Sequence, residues 1–265
     1  MLTIAGLAQP DTIEEAYRVL TARKNNAVLG GCAFLRMGTQ KIGTAVDLGK
    51  LNLNFIEEDH DFISIGAAAT FREVETYPGL QRFAAGLLPK AVGHVLGVQF
   101  RNLVTVGASV YAKYGFSDLI TALLVLETEV ELYKGGRMPL AVFLDRPAAK
   151  DILIRLSIKK SNCRAAYQSL RCSASDYPVL NAAVSNTGRH WLVAVGARPR
   201  RAAIAKRLSE ALSQQAVTCG DLAAVTELAA EELAFGTNAR GSAGYRRAMS
   251  KVLIKRAIEE VLQCR

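Results

Sequence analysis

The sequence predicts an α+β fold in two parts, and three observations carry that prediction. Short apolar strands near the N-terminus are separated by helical spacing and glycine turns. The middle of the chain alternates apolar and polar residues around a Gly-Gly turn, the pattern of antiparallel strands. The last third holds two hairpin-like strands followed by three stretches with helical spacing.

Taken in order, Thr12 to Leu20 has apolar residues at helical spacing, with Asp11 or Thr12 as N-cap and Glu14 and Glu15 in the first turn, where carboxylates offset the helix dipole. Ala27 to Leu29 is an apolar strand, Phe34 to Gly38 a helical turn and Thr44 to Leu48 a second strand, together a small parallel β-α-β unit. Phe62 to Ala67 is a strand, and Thr70-Phe71-Arg72-Glu73 is a capping box that opens a helix. Leu80 to Leu96 is mostly helical, broken at Pro89. An apolar helix from Leu119 leads into the alternating strand Glu127 to Tyr133, which turns at Gly135-Gly136 and begins an antiparallel region.

Ile152 to Ile158 is a further strand, and Lys159-Lys160-Ser161-Asn162 marks the domain boundary. Beyond it, Leu180 to Ser185 and Trp191 to Gly196 read as hairpin-like strands, and Ile204 to Gln214, Asp221 to Leu233 and Ala243 to Leu262 as helices. A small sheet against helices follows.

Composition narrows the function. At 265 residues, half of them hydrophobic, the chain buries a sizeable core. Its longest apolar run, Leu119 to Leu126, is far short of the roughly 20 residues that span a bilayer. The N-terminus lacks the basic segment and cleavage site of a signal peptide, so a cytoplasmic location is expected. The five cysteines (Cys32, Cys163, Cys172, Cys219, Cys264) are scattered with no Cys-x-x-Cys pair, and His60, His94 and His190 are not at metal-ligand spacing, so no metal site is expected. The net charge of +9 is accompanied by no nucleic-acid-binding motif, and its basic runs read as solvated faces, some of them toward an acidic partner.

Two stretches carry chemistry. Ala27-Val28-Leu29-Gly30-Gly31-Cys32-Ala33-Phe34 runs a strand into a small-residue turn where backbone N–H groups can approach an anion. Arg101-Asn102-Leu103-Val104-Thr105-Val106-Gly107-Ala108-Ser109 is a second run of small residues, followed by Ser117-Asp118. The alternative readings are structural: Gly-Gly is also a common turn, Asp47 ends a strand and caps a turn, and Tyr111 and Tyr114 pack.

These residues, in order with Val46-Asp47-Leu48 and Ile65-Gly66-Ala67-Ala68-Ala69-Thr70, resemble the FAD-binding medium subunit of the molybdenum hydroxylases, the xanthine dehydrogenase and carbon monoxide dehydrogenase type. Arg240-Gly241-Ser242-Ala243-Gly244-Tyr245-Arg246-Arg247 is similar to that family's terminal-domain signature, so the resemblance spans nearly the whole chain. It implies a para-cresol methylhydroxylase-type FAD-binding fold, a small parallel β-α-β subdomain plus an antiparallel-sheet subdomain, over residues 1–160 (subdomains about 1–56 and 57–160). A C-terminal domain of small antiparallel sheet and helices is implied over 161–265.

The resemblance further implies FAD as cofactor. Ala27 to Phe34 would contact its pyrophosphate, Thr105, Gly107, Ala108 and Ser109 would continue the cradle, and Ser117 and Asp118 would approach the adenosine or flavin side. Val95, Leu96, Tyr111 and Leu153 would border the ring, and Gln168 stands where many members carry lysine. The implied partners are a molybdopterin-binding large subunit and a 2Fe–2S small subunit, with NAD as soluble electron acceptor and neither nucleic acid nor membrane. The chain departs from the pattern at Cys32, Ala33, Ala108, Ser109 and Gln168. Those departures motivate an alternative, a non-redox assembly subunit on the same fold with weakened FAD binding.

Overall fold

The computed structural model describes residues 1–147, 149–214 and 222–263. The sequence-predicted helix start at Asp221, together with Cys219 and Cys264, lies outside the described residues. The chain forms two compact units: residues 1–73, 97–112 and 128–158 make the first, and residues 74–96, 113–127 and 159–265 make the second.

In the first unit, strands β1 (Thr3–Ala8), β2 (Ala27–Leu29) and β3 (Lys41–Asp47) form a parallel sheet in the order β1-β3-β2. The helix Ile13–Ala22 connects β1 to β2, and Thr12 caps it by accepting the Glu15 N–H at 3.2 Å. Its buried Ala16 and Leu20 pack with Val46, Leu48, Leu53 and Ile152. The sequence did not signal β1. This edge strand leaves most of its side chains exposed, so burial imposes no period-2 pattern on them.

The second sheet of this unit contains β4 (Ile56–Glu58), β5 (Phe62–Gly66), β6 (Thr128–Leu132), β7 (Gly136–Pro139) and β8 (Leu153–Lys159), in the order β4-β5-β8-β6-β7. β6 pairs antiparallel with both β7 and β8. The Thr70–Glu73 capping box forms as expected, each residue's side chain accepting the other's N–H, at 3.2 and 2.7 Å.

In the second unit, β9 (Arg164–Arg171), β10 (Pro178–Asn186), β11 (Trp191–Gly196) and β12 (Ala203–Ile204) form an antiparallel sheet in the order β12-β11-β10-β9. Leu180, Ala182 and Val184 turn one face of β10 into the core shared with the helices Lys206–Gln214, Leu222–Glu232 and Ala243–Leu262. Asn181 and Ser185, on the alternate positions, bond Thr121 and the Val125 carbonyl around the helix Asp118–Leu123. Both faces of β10 are therefore covered, and eight of its nine residues are buried.

β9 was not legible in the sequence, because Ala165-Ala166-Tyr167-Gln168-Ser169 lacks β-branched residues; pairing with β10 holds it extended. The expected break at Pro89 is corrected. The interruption lies at Ala84-Ala85-Gly86, with φ of 49°, 56° and 71°. Pro89 sits in the first turn of the helix Leu87–Gly93, where the N–H it lacks has no intrahelical acceptor to lose. Among the described residues no helix is long and apolar enough to cross a membrane.

Glu131 on β6 ties the second sheet together, accepting from Arg155 Nε on β8 at 2.7 Å and from Arg137 Nε on β7 at 3.0 Å. Burial alone would push its carboxyl pKa up, but the hydrogen bond and charge of Arg155, with Arg137 adding, outweigh burial and hold it below the ordinary value. A carboxyl depressed in the folded state stabilises at pH above its unfolded value, and that contribution is lost as pH falls through the folded value. Glu131→Gln should cost about 1 kcal/mol near neutral pH, and urea titrations should show the two proteins converging in acid. A difference that persists undiminished in acid would mean the side chain acts through packing instead.

Candidate cofactor site

β2 delivers the chain into the turn Gly30–Phe34, which packs closely against the second small-residue run, at Gly31 against its main chain. A Cβ on Gly30 would stand 2.7 Å from the Ala108 Cβ and 3.2 Å from Thr105 Oγ1. One on Gly31 would stand 1.8 Å from the Leu103 carbonyl oxygen, and the φ of +66° there favours glycine independently. Gly107 rests on residue 67 in the same way, since its Cβ would fall 2.6 Å from the Ala67 carbonyl oxygen. Residues 30–31, 67–70 and 103–108 thus converge backbone on backbone.

The two runs differ in what their amides do. Val106 and Gly107 donate to the Ala69 and Ala67 carbonyls, both at 2.8 Å, and Ala108 and Ser109 donate to Thr105, to Oγ1 at 3.3 Å and to the carbonyl at 3.2 Å. Thr105 is the N-cap of the helix Val106–Tyr111. By contrast, the N–H groups of Gly31, Cys32 and Ala33 have no protein acceptor among the described residues. Three consecutive unengaged amides, in a half-buried turn with φ of +66° at Gly31 and +54° at Cys32, have the donor set of an anion-binding concavity. The main-chain donors therefore lie in the first run, and the second contributes its supporting surface.

Cys32 itself is a poor nucleophile. Burial pushes its thiol pKa up and the Asp47 carboxylate adds to that, with the Gly30 amide opposing. Asp47 ends β3 and caps the following turn, accepting from the Gly49 N–H at 3.0 Å and from Gln9 Nε2 at 2.9 Å, which matches its structural reading.

The remaining predicted site residues are placed as follows. Tyr111 is structural in its polar contacts: its hydroxyl donates to the Ala149 carbonyl and accepts the Asp151 N–H at 2.9 Å. Leu153 is buried in the antiparallel sheet, paired with Leu132. Val95, Leu96, Ser117, Asp118 and Gln168 belong to the second unit. There Val95 donates to the Val92 carbonyl at 2.9 Å, and Leu96 takes φ of +48°. Ser117 caps the helix Asp118–Leu123 through the Ile120 N–H.

Asp118 is 6% exposed, and its Oδ1 accepts from Arg171 at 2.6 Å, from Asn181 Nδ2 at 3.3 Å and from the Tyr167 hydroxyl. Burial, then the Asp118 charge and hydrogen bond, push the Tyr167 phenol well up, so it stays protonated as that donor. Gln168 donates to Glu260 at 2.7 Å, whose other oxygen takes Lys90 Nζ at 2.6 Å. Two residues that site reasoning missed are Leu103 and Ala67, which act through main-chain carbonyls. Small-residue runs signal a close approach, but no side-chain pattern names the backbone that is approached.

Comparison with known proteins decides the family. Residues 3–158 match the FAD binding domain in molybdopterin dehydrogenase, and residues 165–261 match the CO dehydrogenase flavoprotein C-terminal domain. The chain belongs to the FAD-binding subunits of the molybdenum hydroxylase family. Among relatives of this family, the Escherichia coli K12 protein YgfM, described as uncharacterized, is 26% identical across 93% of this chain and 92% of its own length. The nicotinate dehydrogenase FAD-subunit of Eubacterium barkeri is 31% identical over 51% of this chain and 49% of its own. A carbon monoxide dehydrogenase structure from Hydrogenophaga pseudoflava shares the fold, with a TM-score of 0.89 at 20% identity over 97% of both chains. The family cofactor is FAD, and the unengaged amides beside the packed glycines fit a pyrophosphate.

Two outcomes are expected of this geometry. Gly31→Ala should lose bound flavin and lower stability by roughly 1–3 kcal/mol, because the methyl collides with main chain rather than with open space. Flavin absorbance and a denaturation midpoint read both, and a variant with full flavin and wild-type midpoint would refute the packed turn. Asp118→Asn should cost about 3–5 kcal/mol by stranding the buried Arg171 guanidinium. A loss below 1 kcal/mol in the same assay would mean water reaches the pair.

Proposed function

We propose that this chain is the electron-transfer flavin subunit of a cytoplasmic heteromer, passing electrons from an iron–sulfur partner to a soluble acceptor such as NAD, as in xanthine dehydrogenase. The observation that carries the reading is the set of unengaged amides at Gly31, Cys32 and Ala33. In this reading Ala27 to Phe34 hold the pyrophosphate, Thr105, Gly107, Ala108 and Ser109 support that turn, and Tyr111 and Leu153 of the same unit border the ring. Residues 1–160 act as the FAD-binding domain and 161–265 as the C-terminal domain.

Bound FAD supplies the exchange between two-electron and one-electron chemistry, while the protein holds and orients it. The chain's scattered cysteines support placing the iron–sulfur centre on a separate 2Fe–2S small subunit, and the molybdopterin on a large subunit. Support for an assembly of this kind comes from the relatives, one of which is described as the nicotine 6-hydroxylase medium subunit of Paenarthrobacter nicotinovorans.

Native complex purified through this chain should carry flavin near one per chain, and substrate-reduced flavin should be reoxidised on adding NAD. A complex holding its partner subunits but no flavin would favour the non-redox assembly reading. Flavin that reoxidises with a quinone or with oxygen but not with NAD would remove the acceptor assignment alone.

A further inference from the structure

The charge of this chain is unevenly placed. The first unit holds 13 Lys and Arg against 13 Asp and Glu, while the second holds 20 against 11, so the entire +9 excess lies in the second unit. Part of it is gathered on one loop. Arg198 is 6% exposed, and its guanidinium donates to the Ala234 carbonyl at 2.6 Å and the Arg201 carbonyl at 2.8 Å. Its buried Nε has no acceptor, and no carboxylate pairs with Arg198, Arg200 or Arg201 among the described residues. Burial first, and the charge of Arg200 second, pull the Arg198 pKa down. A buried cation held only by carbonyls is costly.

The loop is nevertheless fixed. The Ala197 N–H donates to the Gly115 carbonyl at 2.9 Å and the Gly236 N–H to the Arg198 carbonyl at 2.9 Å, so exposed Arg200 and Arg201 are carried on a braced main chain. Adjoining Gly115 is an aromatic cluster. Tyr114 stacks on Phe116 at 5.1 Å, and Phe116 tilts against Tyr177 at 4.6 Å. The Arg240 guanidinium lies over Tyr177 at 5.0 Å while pairing with Asp176 at 2.8 Å. The one carboxylate in the cluster is thereby neutralised.

The geometry points to this face, residues 114–116, 176–177, 198–201 and 240, as the docking surface for an acidic protein partner, carried by another subunit of the proposed complex. Tyrosine and arginine are the residue types that anchor protein interfaces, and Arg240, already held over Tyr177 and against Asp176, has less side-chain entropy to lose on docking. Incoming carboxylates would supply the counter-charge that the Arg198–Arg201 loop lacks. The identity of the partner rests on the proposed function; the acidity of its surface rests on the charges alone.

The test uses the heteromer purified through this chain, at low and at high salt, comparing wild type with Arg200→Glu/Arg201→Glu and with the control Lys24→Glu in the first unit. The expected result is at least about tenfold lower retention of the partner for the double variant, unchanged retention for the control, and wild-type retention that weakens with salt. Flavin per chain and circular dichroism should be unchanged in all three. Undiminished retention by the double variant overturns the inference. So does an oligothymidylate titration in which the double variant loses DNA binding but keeps its partner, which would make the face a nucleic-acid site. A flavin-free wild-type heteromer overturns the proposed function while the docking comparison is still read on that sample, and a wild-type chain that captures no acidic subunit overturns both.

Discussion

Main-chain contact between the glycine turn and the Leu103–Ala108 segment is the constraint on which the first unit's chemistry depends. Where a carbonyl stands 1.8 Å from the position of a Cβ, no side chain is tolerated, and the turn is held against its neighbour at a spacing only glycine permits. That spacing consumes the donors of one segment and spares those of the other. The amides of residues 106–109 are spent on carbonyls and on Thr105, which fixes the helix start, while those of residues 31–33 have no acceptor among the described residues. A turn that leaves three consecutive amides without a protein acceptor is suited to an anion. Fold and cofactor binding thus draw on one arrangement.

The second unit is organised differently, around buried charge. Asp118 joins the helix it begins to β9 and β10 through Tyr167, Arg171 and Asn181. Arg246, 1% exposed, donates to the Val179 carbonyl at 2.8 Å, the Gly236 carbonyl at 2.9 Å, the Gly241 carbonyl and Asn238 Oδ1 at 2.6 Å, gathering the loop before the last helix. Both residues fall in stretches that carry the sequence resemblance to the family. Their polar atoms serve the fold, so a family motif here records a packing requirement as much as a ligand.

Local chemistry explains which elements were legible. The Thr12 and Thr70 caps, β2, β11 and the helix Ala243–Leu262 were readable because each is specified by its own residues. β1, β9 and the short helix Leu140–Asp145 were not, since partners elsewhere in the chain impose their conformation. The break in residues 80–96 was misplaced for a related reason. Two alanines and a glycine adopt left-handed φ there, and alanine carries no signal for it. For the candidate site, the glycine turn was visible in sequence, whereas the division of labour between the two amide runs was not, because it is decided by which carbonyls the fold brings near.

That division bears on the departures at Cys32, Ala33, Ala108 and Ser109. A side-chain hydrogen bond to a charged group is worth about 1.5–3 kcal/mol, so losing several would matter if side chains held the anion. The donors left unengaged are instead main-chain groups, which every residue but proline supplies. What the positions must preserve is backbone conformation. Cys32 at φ +54° carries a penalty of roughly 1–2 kcal/mol relative to glycine, and a Cβ on Gly30 would stand 2.7 Å from that of Ala108, so residue 30 must remain glycine opposite it. Substitution in this turn is therefore limited by steric room and φ rather than by side-chain chemistry, and a cysteine or alanine there is compatible with a working cradle.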